Sequence, residues 1–196
     1  MTSAGPAPRG VVRVLKRDGR RGVFLVDEGR GPCVVKRWPL TPWECVKLVL
    51  GIAQAQRQTR GARRLRAAGI ATPEPVHGTR VVVDGGPIVE IRLRWVEGEP
   101  LLHRLRRADA AACAALGRDM HGILGRLRAA GLFHRDAKLT NFVVDAEGRI
   151  VAIDPVGVRR SRDPAAEAER VRQTLLCELT PEEAERAAPF IQAALP

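Results

Sequence analysis

The sequence contains no tyrosine, three tryptophans and four phenylalanines, so aromatic residues make up only 4% of its 196 residues. Proteins that bind single-stranded nucleic acid stack the bases on aromatic side chains, which makes this class a poor match. No helix-turn-helix, zinc-finger or RNA-recognition motif is present either. We therefore do not expect nucleic acid to be a partner of this protein.

Cysteine is scarce as well: Cys33, Cys45, Cys113 and Cys177 form no C-x-x-C pair and match no zinc-ligand spacing. We interpret them as reduced thiols. The sequence has no run of about 18 apolar residues, which is evidence against a transmembrane helix. Residues 1–10, MTSAGPAPRG, lack the apolar core of a secretory signal. We predict a disordered arm there and a cytoplasmic location.

Acidic residues are outnumbered, since 33 Lys and Arg against 22 Asp and Glu give a formal net charge of +11. Such a chain is attracted to polyanions, including anionic lipid and phosphorylated substrates. One predicted helix carries five arginines, at Arg57, Arg60, Arg63, Arg64 and Arg66. This segment is either a solvated helix face or a docking surface for phosphorylated glycolipid or anionic membrane. The second interpretation would add peripheral contact with the inner face of the cell membrane.

The first half of the chain is rich in β-prone segments. Val11–Leu15, Val23–Val26 and Cys33–Lys36 are separated by turn-like sequences, which predicts a three-stranded meander. Thr41 and Glu44 predict a capping box at the start of a helical segment. That segment reaches about residue 68 with a break near residue 51. Further strands are predicted at residues 76–77, 81–83 and 88–96, and EGEP at 97–100 interrupts the pattern.

The second half of the chain is mainly helical. A helix is predicted over residues 109–130, and two shorter helices over Pro164–Glu178 and Pro181–Ala194. The apolar stripe of the first comprises Leu116, Met120, Ile123, Leu124 and Leu127. Strands followed by helices predict an α+β fold rather than a parallel α/β fold. We divide the chain into the arm at 1–10, a β-rich lobe at 11–99 and a helical lobe at 100–196.

Polar residues are concentrated in GLFHRDAKLTNFVVDAEGRIVAID, residues 131–154. Its two β-prone runs predict a hairpin that turns at residues 146–148. Antiparallel pairing places Asn141 opposite Ile153 or Asp154, so an amide oxygen and a carboxylate meet at the open end. Asp136 adds a second carboxylate in the preceding loop, and Lys138 adds a positive charge. Such oxygen ligands suit Mg²⁺, and the set predicts a phosphoryl-transfer site.

HRDAKLTN, at His134–Asn141, resembles the H-R-D-x-x-x-x-N catalytic loop of protein-kinase-like enzymes. Asp154 follows the hairpin where that superfamily has its second metal-binding aspartate. CVVK, at Cys33–Lys36, is similar to the phosphate-anchoring V-A-I-K segment. The resemblance implies a compact two-lobed fold with a β-rich N-lobe and a reduced helical C-lobe. It also implies that ATP binds between the lobes, near Arg94–Glu97.

The same resemblance implies a role for each matching residue. Asp136 would be the catalytic base, and Lys138 would steady the transferred phosphoryl group. Asn141 and Asp154 would hold Mg²⁺, and Lys36 would contact the phosphates of ATP.

The sequence departs from the kinase pattern at the nucleotide side. Where a full glycine-rich loop is expected, the sequence has only Gly19 and Gly22, which are equally typical of a plain turn. The glutamate expected to pair with the strand lysine is replaced by Gln58, with Glu44 as a second candidate. These departures keep a nucleotide-binding pseudokinase open as an alternative.

Two further features restrict the class of molecule that could accept the phosphoryl group. The next predicted helix begins at Pro164, ten positions after Asp154, which leaves no room for a long activation segment. Residues 51–76 together with GLFHRDAKLTNFVV and IDPVGVRR resemble the bacterial lipopolysaccharide core kinase family, over roughly residues 11–160. The resemblance implies phosphorylation of a sugar hydroxyl, on heptose or Kdo of an envelope glycolipid, or of a related small molecule. RIO-type and aminoglycoside-type phosphotransferases are the alternative kinases, and the oligomeric state is not predicted.

Overall fold

A computed structural model describes residues 7–18, 21–83 and 86–195, which form a mixed α+β protein, so the predicted α+β class is confirmed. The strands are β1 (Val11–Asp18), β2 (Arg21–Val26), β3 (Cys33–Pro39), β4 (Pro75–Val83), β5 (Pro87–Arg94), β6 (Gly98–Pro100), β7 (Leu132–His134), β8 (Phe142–Asp145), β9 (Ile150–Ala152) and β10 (Val158–Arg160). The helices are α1 (Pro42–Val49), α2 (Gln54–Ala67), α3 (Leu101–Arg107), α4 (Ala110–Ala129), α5 (Pro164–Leu176), α6 (Pro181–Arg186) and α7 (Ala188–Ala194).

The chain forms two compact units. The first runs to Arg60 and resumes over Pro73–Trp95, and the second comprises Gly61–Thr72 and the residues from Val96 onward. Residues 61–72, assigned from the sequence to the first lobe, thus belong to the second unit. The physical reason is that Leu65 and Ile70 are buried in the core of that unit.

The first unit is built on a five-stranded antiparallel sheet with the strand order β1-β2-β3-β5-β4. The predicted meander of β1, β2 and β3 is confirmed. The two strands predicted at 76–77 and 81–83 are the single strand β4, whose register shifts along β5. Buried Val89, Ile91 and Leu93 of β5 form a core with Ala55 of α2. Of the predicted disordered arm, residues 1–6 lie outside the described residues, whereas the Gly10 carbonyl accepts a hydrogen bond from the Asp27 amide.

The connection from β3 to α2 follows the prediction with one exception. Thr41 caps α1, because its hydroxyl accepts from the Glu44 amide at 3.2 Å. The predicted capping box is incomplete, since the Glu44 carboxylate accepts instead from Lys47 at 2.6 Å. The break between α1 and α2 is confirmed at Gly51, whose φ of 70° favours glycine.

The second unit has a core of residues from its helices and from the β8–β9 hairpin. Its fully buried large side chains include Leu101, Met120, Leu139, Phe142, Leu175 and Phe190. The predicted stripe of α4 is confirmed: four of its residues are buried, and Leu124 packs against them partly buried. Asp109 caps α4 by accepting from the Ala112 amide at 2.8 Å. No helix in the described part of the chain is long and apolar enough to cross a membrane.

Three features of the second unit differ from the prediction. The EGEP segment does not only interrupt the pattern, because its last three residues form β6 and pair with β8. Helix α3 was not predicted. The single helix expected over Pro181–Ala194 is two helices, α6 and α7. Pro189 lacks the amide hydrogen needed to continue the hydrogen bonds of α6, which explains the interruption.

Candidate active site

The loop between β7 and β8 is fixed at its start by a strand that the sequence did not predict. Strand β10 pairs with β7, and the Arg135 amide donates to the Gly157 carbonyl at 3.1 Å. Gly157 lies directly against the loop, since a Cβ there would be 2.9 Å from the Asp136 amide nitrogen. The close approach requires glycine at this position.

Asp136 and Lys138 lie side by side at the surface of the loop. Their side chains are about half exposed, at 48% and 45%, and Lys138 Nζ is 3.9 Å from Asp136 Oδ1. The alternating residues Ala137 and Leu139 are fully buried. Because these two residues anchor the loop in the core, the charged side chains of Asp136 and Lys138, which alternate with them, face the solvent.

Asn141 ends a 3₁₀ turn at Leu139–Asn141 and joins the loop to the hairpin. Its Nδ2 donates to the Asp136 carbonyl at 2.9 Å, which turns Oδ1 the other way. Its own carbonyl accepts from the Ile153 amide at 2.9 Å. The predicted hairpin is confirmed, and Asn141 is paired with the residue that precedes Asp154.

The sequence predicts that Asn141 and Asp154 hold Mg²⁺, and the structure places Asn141 beside the hairpin end that precedes Asp154. Asn141, with an amide oxygen, precedes β8, and Asp154, with a carboxylate, follows its partner strand β9. Mg²⁺ takes oxygen ligands from few side chains and completes its shell with phosphate and water. Within the described ranges, no three His, Cys, Asp or Glu side chains form a metal-binding group. The assignment of Asn141 and Asp154 as magnesium ligands stays a prediction.

Glu178, just beyond α5, holds the loop in a way that the sequence did not reveal. One carboxylate oxygen accepts from the Thr140 amide at 2.9 Å, and the other accepts from the Thr140 hydroxyl at 2.6 Å. Thr140 lies between Lys138 and Asn141 in sequence. Glu178 is thus a positioning residue for the loop.

We expect Glu178→Ala to lower the free energy of unfolding by about 1–3 kcal/mol, because two hydrogen bonds to a charged group are lost. If the loop carries the phosphoryl transfer predicted from the sequence, the variant should also lower kcat by about tenfold through misplacement of the loop. Glu178→Gln, which retains an acceptor, should restore most of the activity, and exposed Glu182→Ala should match the wild type. Urea unfolding and steady-state transfer assays measure the two effects. An unchanged kcat in Glu178→Ala would remove the positioning role.

His134 is a buried imidazole beneath the same loop. It is 1% exposed, and its Nδ1 accepts from the Asp136 amide at 3.2 Å. Its Nε2 is buried and forms no hydrogen bond of normal geometry with a described residue. The nearby backbone of Asp154 nevertheless favours the protonated form of the ring. Burial lowers the pKa of His134 below its ordinary 6.5, against the opposing charges of Asp154 and Asp136. The ring is therefore a neutral support for the loop.

This lowered pKa makes stability depend on pH. His134 binds a proton more readily in the unfolded chain than in the folded one. Its contribution to the free energy of unfolding is therefore complete above about pH 6.5 and is lost as the pH falls through the pKa of the folded state. His134→Asn keeps an acceptor near Nδ1 and should show a flatter loss of stability between pH 7 and pH 5. Urea midpoints measure this, with exposed His121→Asn as the control. Equal pH dependence in wild type and His134→Asn would contradict the assignment.

Lys36, in the first unit, contacts Gln58. Lys36 Nζ donates to Gln58 Oε1 at 3.4 Å, and Gln58 is 1% exposed on α2. Glu44, the second candidate for this role, is paired with Lys47 instead. The neighbouring Arg37 points to the other face of β3 and forms a buried ion pair with Glu90 at 2.8 Å. Of two adjacent basic residues, only Lys36 lies on the α2 side of the sheet.

The two glycines predicted to cover phosphates have different outcomes. Gly19 lies outside the described residues. Gly22 lies within β2, and the ring of Phe24 packs so closely on it that a Cβ would collide with the ring. Packing thus accounts for glycine at position 22, and its contact with nucleotide stays a prediction.

A cavity of about 720 Å³ opens elsewhere in the second unit, between α4, β7 and α5. Its walls include His134 and Phe133 but none of Asp136, Lys138, Asn141 or Asp154. The loop and hairpin, rather than this cavity, carry the candidate chemistry.

Comparison with known proteins does not assign the chain to a family. No protein-family model matches it, and no curated protein matches it significantly. What the site can do is therefore inferred from its own geometry and from the sequence motifs it contains.

Proposed function

We propose that this protein is an ATP- and magnesium-dependent phosphotransferase with a two-lobed, protein-kinase-like fold. Its acceptor would be a hydroxyl of an envelope glycolipid sugar, of the lipopolysaccharide core type, or of a related small molecule. One observation carries the proposal: Asp136 and Lys138 lie 3.9 Å apart on an anchored loop whose last residue, Asn141, pairs with the hairpin end before Asp154.

The residues would divide the reaction as follows. Asp136 accepts the proton of the acceptor hydroxyl while the hydroxyl oxygen forms a bond to the γ-phosphorus of ATP. The bond between that phosphorus and the oxygen that bridges it to ADP breaks at the same time. Lys138 stabilises the charge on the transferred group. Asn141 Oδ1 and Asp154 would hold magnesium, whose charge offsets that of the phosphates when bound. Lys36 would contact the nucleotide phosphates.

The short segment after Asp154 supports an acceptor smaller than a folded protein. Strand β10 ends at Arg160, and α5 begins at Pro164. This segment is entirely described and contains no long activation loop. The glycolipid class itself rests on the resemblance of residues 51–76 and the loop to lipopolysaccharide core kinases.

A nucleotide-binding pseudokinase is the second candidate. It is favoured by the contact of Lys36 with the neutral amide of Gln58, where active protein-kinase-like enzymes have a glutamate. An amide holds the lysine more weakly than a carboxylate does. The two candidates make different predictions for the fate of bound ATP.

The test is transfer of labelled γ-phosphate from Mg-ATP, with nucleotide binding measured in parallel. Acceptors are a bacterial envelope glycolipid extract, an aminoglycoside and a ribosomal fraction. We expect label in the glycolipid fraction only. Label in the aminoglycoside or ribosomal fraction would show that the acceptor is not a glycolipid and would assign it to that fraction. ATP binding without transfer to any acceptor would favour the pseudokinase.

A further inference from the structure

None of the residues of helix α1 is buried. Trp43 is 62% exposed, Val49 is 88% exposed and Leu50, at the helix end, is 63% exposed. We call the exposed apolar set formed by Trp43, Val46, Val49, Leu50 and Ile52 the α1 ridge. Soluble surfaces rarely carry so many large apolar side chains within ten positions, and such patches commonly mark interaction sites.

Helical geometry places three residues of the ridge on one side of α1. Trp43, Val46 and Leu50 are spaced by three and four residues, so they share a face. Leu48 points the other way and packs against the core of the first unit. The helix is therefore attached through Leu48, and its apolar outer face is left to solvent.

Positive charge borders the ridge at the end near Gly51. Arg60 donates to the Gly51 carbonyl at 2.6 Å, which holds an exposed guanidinium beside Leu50 and Ile52. At the other end, Lys47 Nζ lies 5.6 Å from the centre of the Trp43 ring. The single acidic residue of α1, Glu44, is paired with Lys47. Because that pair is neutral overall, the exposed cation beside the ridge is Arg60, on a chain whose net charge is +11.

We propose that the α1 ridge inserts into the headgroup region of an anionic membrane, with Arg60 against lipid phosphates. Tryptophan beside aliphatic residues and a neighbouring cation is the composition of interfacial helices. A second copy of this chain fits less well, because it would bring the same cations together. The proposal does not depend on phosphoryl transfer, since binding requires neither nucleotide nor acceptor.

The test compares two valines of equal exposure in the same unit. Val49→Asp changes the ridge, whereas Val83→Asp places the same charge on β4, where Val83 is 86% exposed. Wild-type protein should co-sediment with phosphatidylglycerol vesicles and not with neutral phosphatidylcholine vesicles. Val49→Asp should bind at least about tenfold more weakly, and Val83→Asp should bind like the wild type. Arg60→Gln should lower binding about fivefold.

A second measurement uses fluorescence and needs only one conservative ridge variant, Trp43→Phe. Trp43 emission should shift to the blue on vesicle addition and be quenched by brominated lipid, and both signals should disappear in Trp43→Phe. Equal vesicle binding by wild type and Val49→Asp, or equal binding to neutral and anionic vesicles, would overturn the proposal. A dimer in solution that Val49→Asp dissociates, without vesicle binding by the wild type, would assign the ridge to a second copy instead.

Discussion

Asp136→Asn should lower the rate of phosphoryl transfer by about 10²–10⁴-fold, because the proposed proton acceptor is removed while the side chain keeps its size. The Asp136 side chain is 48% exposed and the loop is anchored by its buried neighbours, so stability should change little. Nucleotide affinity should also persist, since the change is at the acceptor side of the reaction. Saturating assays with Mg-ATP, together with thermal unfolding, measure these expectations.

Asp119→Asn is the matched control, because it makes the same chemical change at an exposed position of α4. It should leave transfer unaffected. If Asp136→Asn keeps more than about a tenth of the wild-type rate, Asp136 is not the proton acceptor. If both variants lose activity together, the loss reflects charge or folding rather than chemistry at the loop.

Gly61→Ala should be the most destabilising small substitution in α2. A Cβ at this position would overlap the carbonyl oxygen of Pro155 and lie 2.8 Å from its carbonyl carbon. Backbone cannot rotate away as a flexible side chain can, so we expect a loss of about 1–3 kcal/mol in the free energy of unfolding. Pro155 follows Asp154, and the shift should therefore lower transfer activity as well.

Gly125→Ala in α4 is the natural comparison, because a Cβ there meets no atom within 4 Å. Alanine is the better helix former, so this variant should gain about 0.5–1 kcal/mol. Urea unfolding should show a lower free energy of unfolding for Gly61→Ala and a higher one for Gly125→Ala. A neutral or stabilising Gly61→Ala would show that α2 does not pack on Pro155 as described.

Local sequence signals were sufficient for the hairpin and its neighbours. The turn at residues 146–148, the alternation around it and the position of Asn141 all depend on residues close in the chain. The same holds for the cap at Thr41 and for the stripe of α4. These features follow from short-range hydrogen bonding and from periodicity, which a sequence displays openly.

Features that depend on distant pairing were missed. Strand β10 has three residues and gains its form from β7, more than twenty positions earlier. The bonds from Thr140 to Glu178 join residues 38 positions apart, and nothing local in ELT distinguishes Glu178 from a surface carboxylate. Short strands and long-range clamps have weak local signatures, because their stability comes from the partner.

By itself, the sequence determined the α+β class, the meander, the hairpin and the set of polar residues that could serve phosphoryl transfer. Only the tertiary structure decided that Gln58 lies beside Lys36, that Glu178 holds the loop, and that residues 61–72 belong to the second unit. It also decided that the apolar residues of α1 face solvent, although their helical spacing is equally typical of a buried face. Spacing records which side chains share a face, whereas burial depends on what the rest of the chain packs against it.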